Sequence, residues 1–313
     1  MSGHRQPPII DAETLDSLLG PADAVDALEA ALRQGLDPAA GPGRGSVPLP
    51  GGELLVMTAQ FGDRAAVKLA GVAPGNPALG LPRITGTCLL LDARTLLPLA
   101  LFDAPALTAL RTAAVSALAV RRIAPATAEH LLIFGAGPQA HAHLRALAAV
   151  RPLRRVTVVA RDRDRLRALL AVAAGAGLRA GPGSPGAVRE ADLICCCTTA
   201  RTPLFDGSEV SPQAVVVAVG SHEPDARETD SALVARAAVV VEDRATALRE
   251  AGDLLIPLAE GRFSPGDVHA DLAELVTGAV APPTGRPCLF KSVGMAWEDL
   301  VIAAAAHART GRR

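Results

Sequence analysis

Aromatic side chains make up only 2% of the chain, and tyrosine is missing altogether. Surfaces that stack nucleobases need several aromatic rings, so nucleic acid is not an expected partner. Charge of one sign is lacking too: 31 basic residues face 32 acidic ones, a formal net charge of −1. With no basic block, a polyanionic partner is not expected either. No run approaches the ~20 uninterrupted apolar residues of a membrane-spanning helix. The start, MSGHRQPPII, lacks a charged beginning followed by a long apolar run, so no secretory signal is expected. Cysteines number five, and none shows Cys-x-x-Cys spacing. Cys88, Cys195-Cys196-Cys197 and Cys288 therefore read as reduced, buried thiols of a cytoplasmic protein. Lysine is scarcest of the charged residues: Lys68 and Lys291 are alone among the 31 basic positions. Arginine stays protonated, whereas a buried lysine can change protonation state. These two are either sites where Arg cannot serve or remnants of drift.

What is present is apolar and periodic. Half of the 313 residues are hydrophobic, enough for one large or two medium domains with a real core. From 112 to 290, short Val- and Ile-rich runs at 130–134, 156–160, 193–197, 214–219 and 238–241 read as strands covered on both faces. Helical patterns such as 139–150 and 164–174 lie between them. That alternation predicts an α/β fold with a doubly wound parallel sheet. The stretch AGPGSPGA at 180–187 reads as a surface loop. Residues 1–111 differ. Helices are expected at 11–20 and 23–35, GPGRGSVPLPGG breaks the pattern, and strands follow at 53–58, 65–70, 87–91 and 97–102. This reads as a separate α+β domain, joined by a C-terminal segment, 291–313, that carries a helix at 295–308.

The sharpest local signal is Leu131-Leu132-Ile133-Phe134-Gly135-Ala136-Gly137-Pro138-Gln139-Ala140. A strand ends in Gly-x-Gly-x-x-Ala and a helix begins, as in a dinucleotide-binding turn. Gly135 permits the turn, Gly137 lets the backbone approach a pyrophosphate, and Ala140 takes the third glycine's place. The second strand ends at Val159-Ala160 and runs into Arg161-Asp162-Arg163-Asp164-Arg165. An NAD site usually has an acid at the strand's end. Here Arg161 and Arg163 are placed to pair with a 2′-phosphate, which favours NADPH, with NADH possible through Asp162.

Five ordered motifs resemble the ornithine cyclodeaminase/mu-crystallin family. They are Val67-Lys68-Leu69 with Pro74-Gly75-Asn76, Gly80-Leu81-Pro82 and Gly86-Thr87; Leu107-Thr108-Ala109-Leu110-Arg111-Thr112-Ala113-Ala114; the turn at 135–140; Gly220-Ser221-His222 with Glu228; and Phe290-Lys291-Ser292-Val293-Gly294 with Glu298-Asp299-Leu300. The match spans about Arg44 to Leu300. It implies a Rossmann domain at 112–290 and a substrate-binding domain at 1–111 that builds a homodimer. It places a substrate carboxylate on Arg44, Lys68 and Arg111, a choice that suits the paired hydrogen bonds of guanidinium to carboxylate. Lys68 lies in an apolar strand, where an idle charge would be costly. The resemblance puts Thr112, Gly135, Ala136, Gly137, Pro138, Gln139, Thr198, Val219, Gly220 and Ser292 around the dinucleotide and Val293 against the substrate. For Lys291 a structural role and a catalytic one stand level.

Two departures matter. Family members often carry Thr where this chain has Arg83. In ornithine cyclodeaminases an Asp handles the amino group where this chain has His222. Histidine exchanges protons near neutral pH, so His222 is a catalytic candidate; merely lining the cleft is the other reading. Ketimine reductases similar to mu-crystallin also lack that Asp, which tips the expectation from lyase to reductase. The expected reaction is reduction of a cyclic ketimine carboxylate of the pyrroline-2-carboxylate or piperideine-2-carboxylate type. Ornithine cyclodeaminase, an amino-acid dehydrogenase of the alanine type and a non-catalytic binder remain alternatives. No metal site is expected, because His141 and His143 are two apart on a helix and cannot face one ion.

Overall fold

The computed structural model describes residues 6–311. The chain forms two compact units, one from the residues up to Arg111 together with those from Met295 onward, the other from Thr112–Gly294. The first unit opens with β1 (Ile9–Ile10), α1 (Ala12–Leu18) and α2 (Pro21–Arg33). Asp11 caps α1 by accepting from the Thr14 backbone, and Pro21 starts α2 at a position that needs no N–H. Then come β2 (Arg44–Leu49), β3 (Gly52–Phe61), β4 (Arg64–Val72), β5 (Ile84–Asp92) and β6 (Pro98–Asp103), leading into α3 (Ala104–Ile123). The sheet order is β1-β6-β5-β4-β3-β2, antiparallel apart from the β1–β6 pair. Its core face carries Leu55, Met57, Ala66, Ala70, Cys88, Leu90, Ala100 and Phe102, all buried at alternate positions.

The segment at 44–49, expected to break the pattern, is a strand, and Arg44 opens it. β2 lies at the sheet edge, where Pro48 can lack an N–H without leaving a ladder partner bare.

The second unit runs β7 (His130–Phe134), α4 (Pro138–Val150), β8 (Arg155–Val159), α5 (Arg163–Gly175), β9 (Arg179–Pro182), β10 (Leu193–Cys196) and β11 (Val215–Ala218). It continues through α6 (Ser231–Arg236), β12 (Ala238–Val241), α7 (Arg244–Glu250), α8 (Gly252–Ala259), β13 (Val268–Asp271), α9 (Leu272–Thr277) and β14 (Cys288–Lys291). The final helix, α10 (Ala296–Thr310), belongs to the first unit. Eight parallel strands order as β13-β12-β14-β11-β10-β7-β8-β9. The chain lays down β7, β8 and β9 outward, then returns to place β10 on the other side of β7. That reversal opens a crevice at the carboxyl ends of β7 and β10, where such sheets bind ligands.

Two sequence expectations need correction here. Of the stretch 180–187 expected as loop, residues 180–182 belong to an edge strand, β9, paired in parallel with β8. Residues 291–294 were grouped with the C-terminal helix, yet Lys291 closes β14 between β11 and β12, and the unit extends to Gly294. The ends of the expected domains, 1–5 and 312–313, lie outside the described residues. No helix among those described is long and apolar enough to cross a membrane.

Candidate active site

In the first unit, sheet register lines up Arg44, Met57, Lys68, Cys88 and Phe102 across five strands. Directly opposed residues share a face, so Arg44 and Lys68 leave the same side. Two strand spacings separate them, about 10 Å between backbones. α10 packs across β3, β4, β5 and β6 on this side. Lys68 Nζ donates to Asp299 Oδ2 at 2.6 Å and to Thr108 Oγ1 at 3.3 Å. Arg111 Nη1 donates to Glu298 Oε2 at 2.5 Å, and its Nε lies 3.5 Å from Asp299 Oδ1. Thr108 and Arg111 are three apart on α3 and so share a helix face. Lys68 is 3% exposed and Asp299 1%, so water screens this network little. Burial pushes the Lys68 ammonium below the ordinary lysine range. The Asp299 carboxylate works against that shift, and the Arg111 guanidinium adds to it. The result is a buried ammonium that gives up its proton more readily than a surface lysine.

In the second unit, the β7–α4 turn fits a pyrophosphate. Gly135 has φ +103°, and a side chain there would stand 2.4 Å from the Cys197 carbonyl oxygen. Gly137 precedes α4 and faces open space, so nothing bars an anion from the helix's first N–H groups. Glu228 ties the loops after β10 and β11 together. Its Oε1 accepts from the Thr198 backbone N–H at 2.8 Å and hydroxyl at 2.7 Å, and its Oε2 from the Gly220 N–H at 2.7 Å. A side chain at Gly220 would meet the Thr198 carbonyl at 2.2 Å. Lys291 is a strut: Nζ donates to the Ser221 carbonyl at 2.6 Å and pairs with Asp253 Oδ2 at 3.0 Å, both side chains fully buried. Asp253 Oδ1 accepts from the Glu228 and Thr229 N–H groups and from the Thr229 hydroxyl. Glu242, at the end of β12, accepts from the Ser292 hydroxyl at 2.7 Å and the Val293 and Gly294 N–H groups at 2.9 and 3.1 Å.

A family model, that of the ornithine cyclodeaminase/mu-crystallin family, matches residues 9–311. The chain belongs to that family. A Delta(1)-pyrroline-2-carboxylate/Delta(1)-piperideine-2-carboxylate reductase of Azospirillum brasilense is 36% identical over 314 residues, covering 98% of this chain and 97% of its own. The ketimine reductase mu-crystallin of Mus musculus is 34% identical over 241 residues, 77% of this chain and 74% of its own. Among solved structures, the Delta(1)-pyrroline-2-carboxylate reductase of Thermococcus litoralis in complex with NADH and L-proline aligns with a TM-score of 0.92. Its identity is 30%, covering 97% of this chain and 98% of that one.

Within this ornithine cyclodeaminase/mu-crystallin chain, the sequence-derived residues fall into two groups. Lys68 and Arg111 meet at one ionic network, with Arg44 on the same sheet face. Thr112 on α3, Ala136, Pro138 and Gln139 at the turn, and Thr198, Val219 and Gly220 after β10 and β11 belong to the second unit, as do Ser292 and Val293 after β14. Arg161 and Arg163 are exposed just beyond β8, while Asp162 is committed to capping α5 through the Asp164 and Arg165 N–H groups. His222 is exposed after Ser221, and Arg83 is exposed before β5. The acids Glu228, Glu242, Asp253, Glu298 and Asp299 were given no role from sequence. One signal pointed to Asp299: Lys68, expected in an apolar strand, required a buried counter-charge.

Proposed function

We propose that the chain is a cytoplasmic NAD(P)H-dependent reductase of cyclic ketimine carboxylates, of the pyrroline-2-carboxylate or piperideine-2-carboxylate type, yielding cyclic L-amino acids such as proline or pipecolate. The buried Lys68 ammonium, held by Asp299 beside Arg111, carries this reading. When bound, the dinucleotide supplies the hydride for the C=N carbon. Arg111 and Arg44 hold the substrate carboxylate through charge-assisted hydrogen bonds. Lys68 orients the ring and stabilises or supplies the proton at the imine nitrogen. Its lowered proton affinity suits the second role. Val293 lines the substrate's apolar side, and His222 is a second proton-exchanging group without the carboxylate that a cyclodeaminase uses.

For the cofactor, the turn at 135–139 takes the pyrophosphate, with Thr112, Thr198, Val219, Gly220 and Ser292 around it. NADPH is the preferred form. Asp162, the acid nearest the strand's end, is engaged as a helix cap, and Arg161 and Arg163 stand exposed for a 2′-phosphate. A bidentate contact of ~1.5–3 kcal/mol gives roughly ten- to a hundredfold preference. Arg161→Ala should therefore erase most of the difference in kcat/KM between NADPH and NADH.

The protein works as a homodimer through the outer face of the first unit's sheet. There Val47, Leu49 and Leu69 are exposed, flanked by half-buried Leu54, Val56, Val67 and Leu89.

Following NADPH and NADH oxidation against cyclic imines, α-keto acids with amines, and ornithine tests the assignment. Reductive turnover of the cyclic imines is expected. Ammonia and proline from ornithine, with the dinucleotide unconsumed, would overturn it in favour of the lyase.

A further inference from the structure

Cys195 and Cys197 stand two apart at the carboxyl end of β10, so their side chains leave one face. Cys196, between them, points the other way into the apolar core. The two sulfurs lie 3.4 Å apart, hydrogen-bonded and not joined as a disulfide. α4 brings His143 over the same face, fully buried, and one ligand atom from each of His143, Cys195 and Cys197 lies within 4.8 Å of the others. The sequence reading missed this group because it looked for paired histidines and Cys-x-x-Cys spacing. In a strand the one-face spacing is Cys-x-Cys.

The hydrogen bonds around the imidazole fix which nitrogen is open to a ligand. His143 Nδ1 faces the Gln139 carbonyl at 2.8 Å, and a carbonyl only accepts, so Nδ1 carries a hydrogen. Nε2 faces Ser116 Oγ at 2.9 Å, while that hydroxyl donates to the Thr112 carbonyl at 2.9 Å. In the neutral imidazole Nε2 is then the acceptor, and the Cys197 thiol is hydrogen-bonded to the ring. A metal cation bound among these donors takes the place of that thiol proton. A backbone carbonyl on Nδ1 is also the usual outer support of a metal-bound histidine. Four-coordinate Zn2+ takes sulfur at ~2.3 Å and imidazole nitrogen at ~2.0–2.1 Å, which gives S–S edges of ~3.8 Å and S–N edges of ~3.5 Å. The sulfurs, 3.4 Å apart, stand slightly inside that S–S edge, and an imidazole nitrogen lies within 4.8 Å of both.

We propose that His143, Cys195 and Cys197, with the Ser116 hydroxyl as fourth donor, form a buried site for a thiophilic divalent cation of the Zn2+ type. Sulfur and imidazole donors select such ions over Mg2+ or Ca2+. A ligating cysteine is a thiolate, so binding exchanges two thiol protons for one cation, with no change of oxidation state. The site lies beneath the dinucleotide turn, because the Cys197 carbonyl is the atom that Gly135 must clear.

Titrating the reduced full-length protein with Co2+ tests this. Thiolate-to-cobalt charge transfer and tetrahedral d–d bands should saturate at one equivalent per chain and release two protons. Cys195→Ser and Cys197→Ser should each lose the charge-transfer intensity, while Cys88→Ser and Cys288→Ser keep it. If those variants do not fold, X-ray absorption of the Zn2+-loaded wild type decides: a shell with two sulfurs supports the site, and a shell of oxygen and nitrogen alone overturns it. Absent bands, bands surviving either variant, or a protonated His143 by NMR under Zn2+ excess would also overturn it.

Discussion

At the scale of single residues, the proposed chemistry rests on a lysine that the sequence made conspicuous and an aspartate that it did not. Lys68→Arg keeps the charge but replaces a compact ammonium with a wide, permanently protonated fork. Turnover should fall by about 10²–10⁴-fold, mainly in kcat, with dinucleotide affinity by fluorescence titration unchanged. A variant retaining a third of wild-type kcat would return Lys68 to carboxylate binding alone. Asp299→Asn is the finer probe. Asp299 opposes the fall in Lys68 proton affinity, so its loss must lower that affinity further. The ammonium is the proton-donating form, so reductive kcat declines as pH rises through the Lys68 value. In Asp299→Asn that alkaline limb should begin at lower pH than in the wild type. A limb that stays in place would show that Asp299 does not act on the proton. Lys68 and Arg111 were legible because a charge in an apolar segment stands out. Asp299 and Glu298 were not, because acids in the first turn of a helix are ordinary partners of its dipole. Only the sheet register and the packing of α10 show which cations they meet.

At the scale of elements, the parallel strands and the glycine turn were readable, since each is written in consecutive residues. The edges were not. β2 and β9 contain glycine and proline, which local reading assigns to turns, and only their place at a sheet margin makes them strands. The contact that fixes the β10 and β11 loops joins residues thirty positions apart, which no local pattern encodes. Glu228→Ala would strand the Thr198 and Gly220 N–H groups, each a loss of ~1–3 kcal/mol if left unpaired. The KM for the dinucleotide should rise at least about tenfold, and the melting temperature should drop. Glu228→Gln keeps one oxygen, enough for Thr198 but not for Gly220, so it should fall between. Equal dinucleotide KM in all three proteins would remove Glu228 from the cofactor site.

At the scale of the whole molecule, the exposed face of the first unit's sheet predicts self-association. Leu69→Glu, placed in the middle of that face, should convert dimer to monomer by light scattering at micromolar concentration; an unchanged mass would move the interface elsewhere. The same unit is discontinuous in sequence: its cations come from β4 and α3, and its carboxylates from α10. During synthesis, Lys68 and Arg111 leave the ribosome well before Glu298 and Asp299 exist. At ~5–20 residues per second the delay is on the order of ten to forty seconds. For that interval Lys68 on the sheet and Arg111 on α3 lack the α10 carboxylates that hold them in the finished unit. The second unit needs no such wait, because its strands and acids arrive in one uninterrupted stretch. The domain encoded in the middle of the message is therefore expected to complete its fold first, and the one encoded at the start to wait for the end.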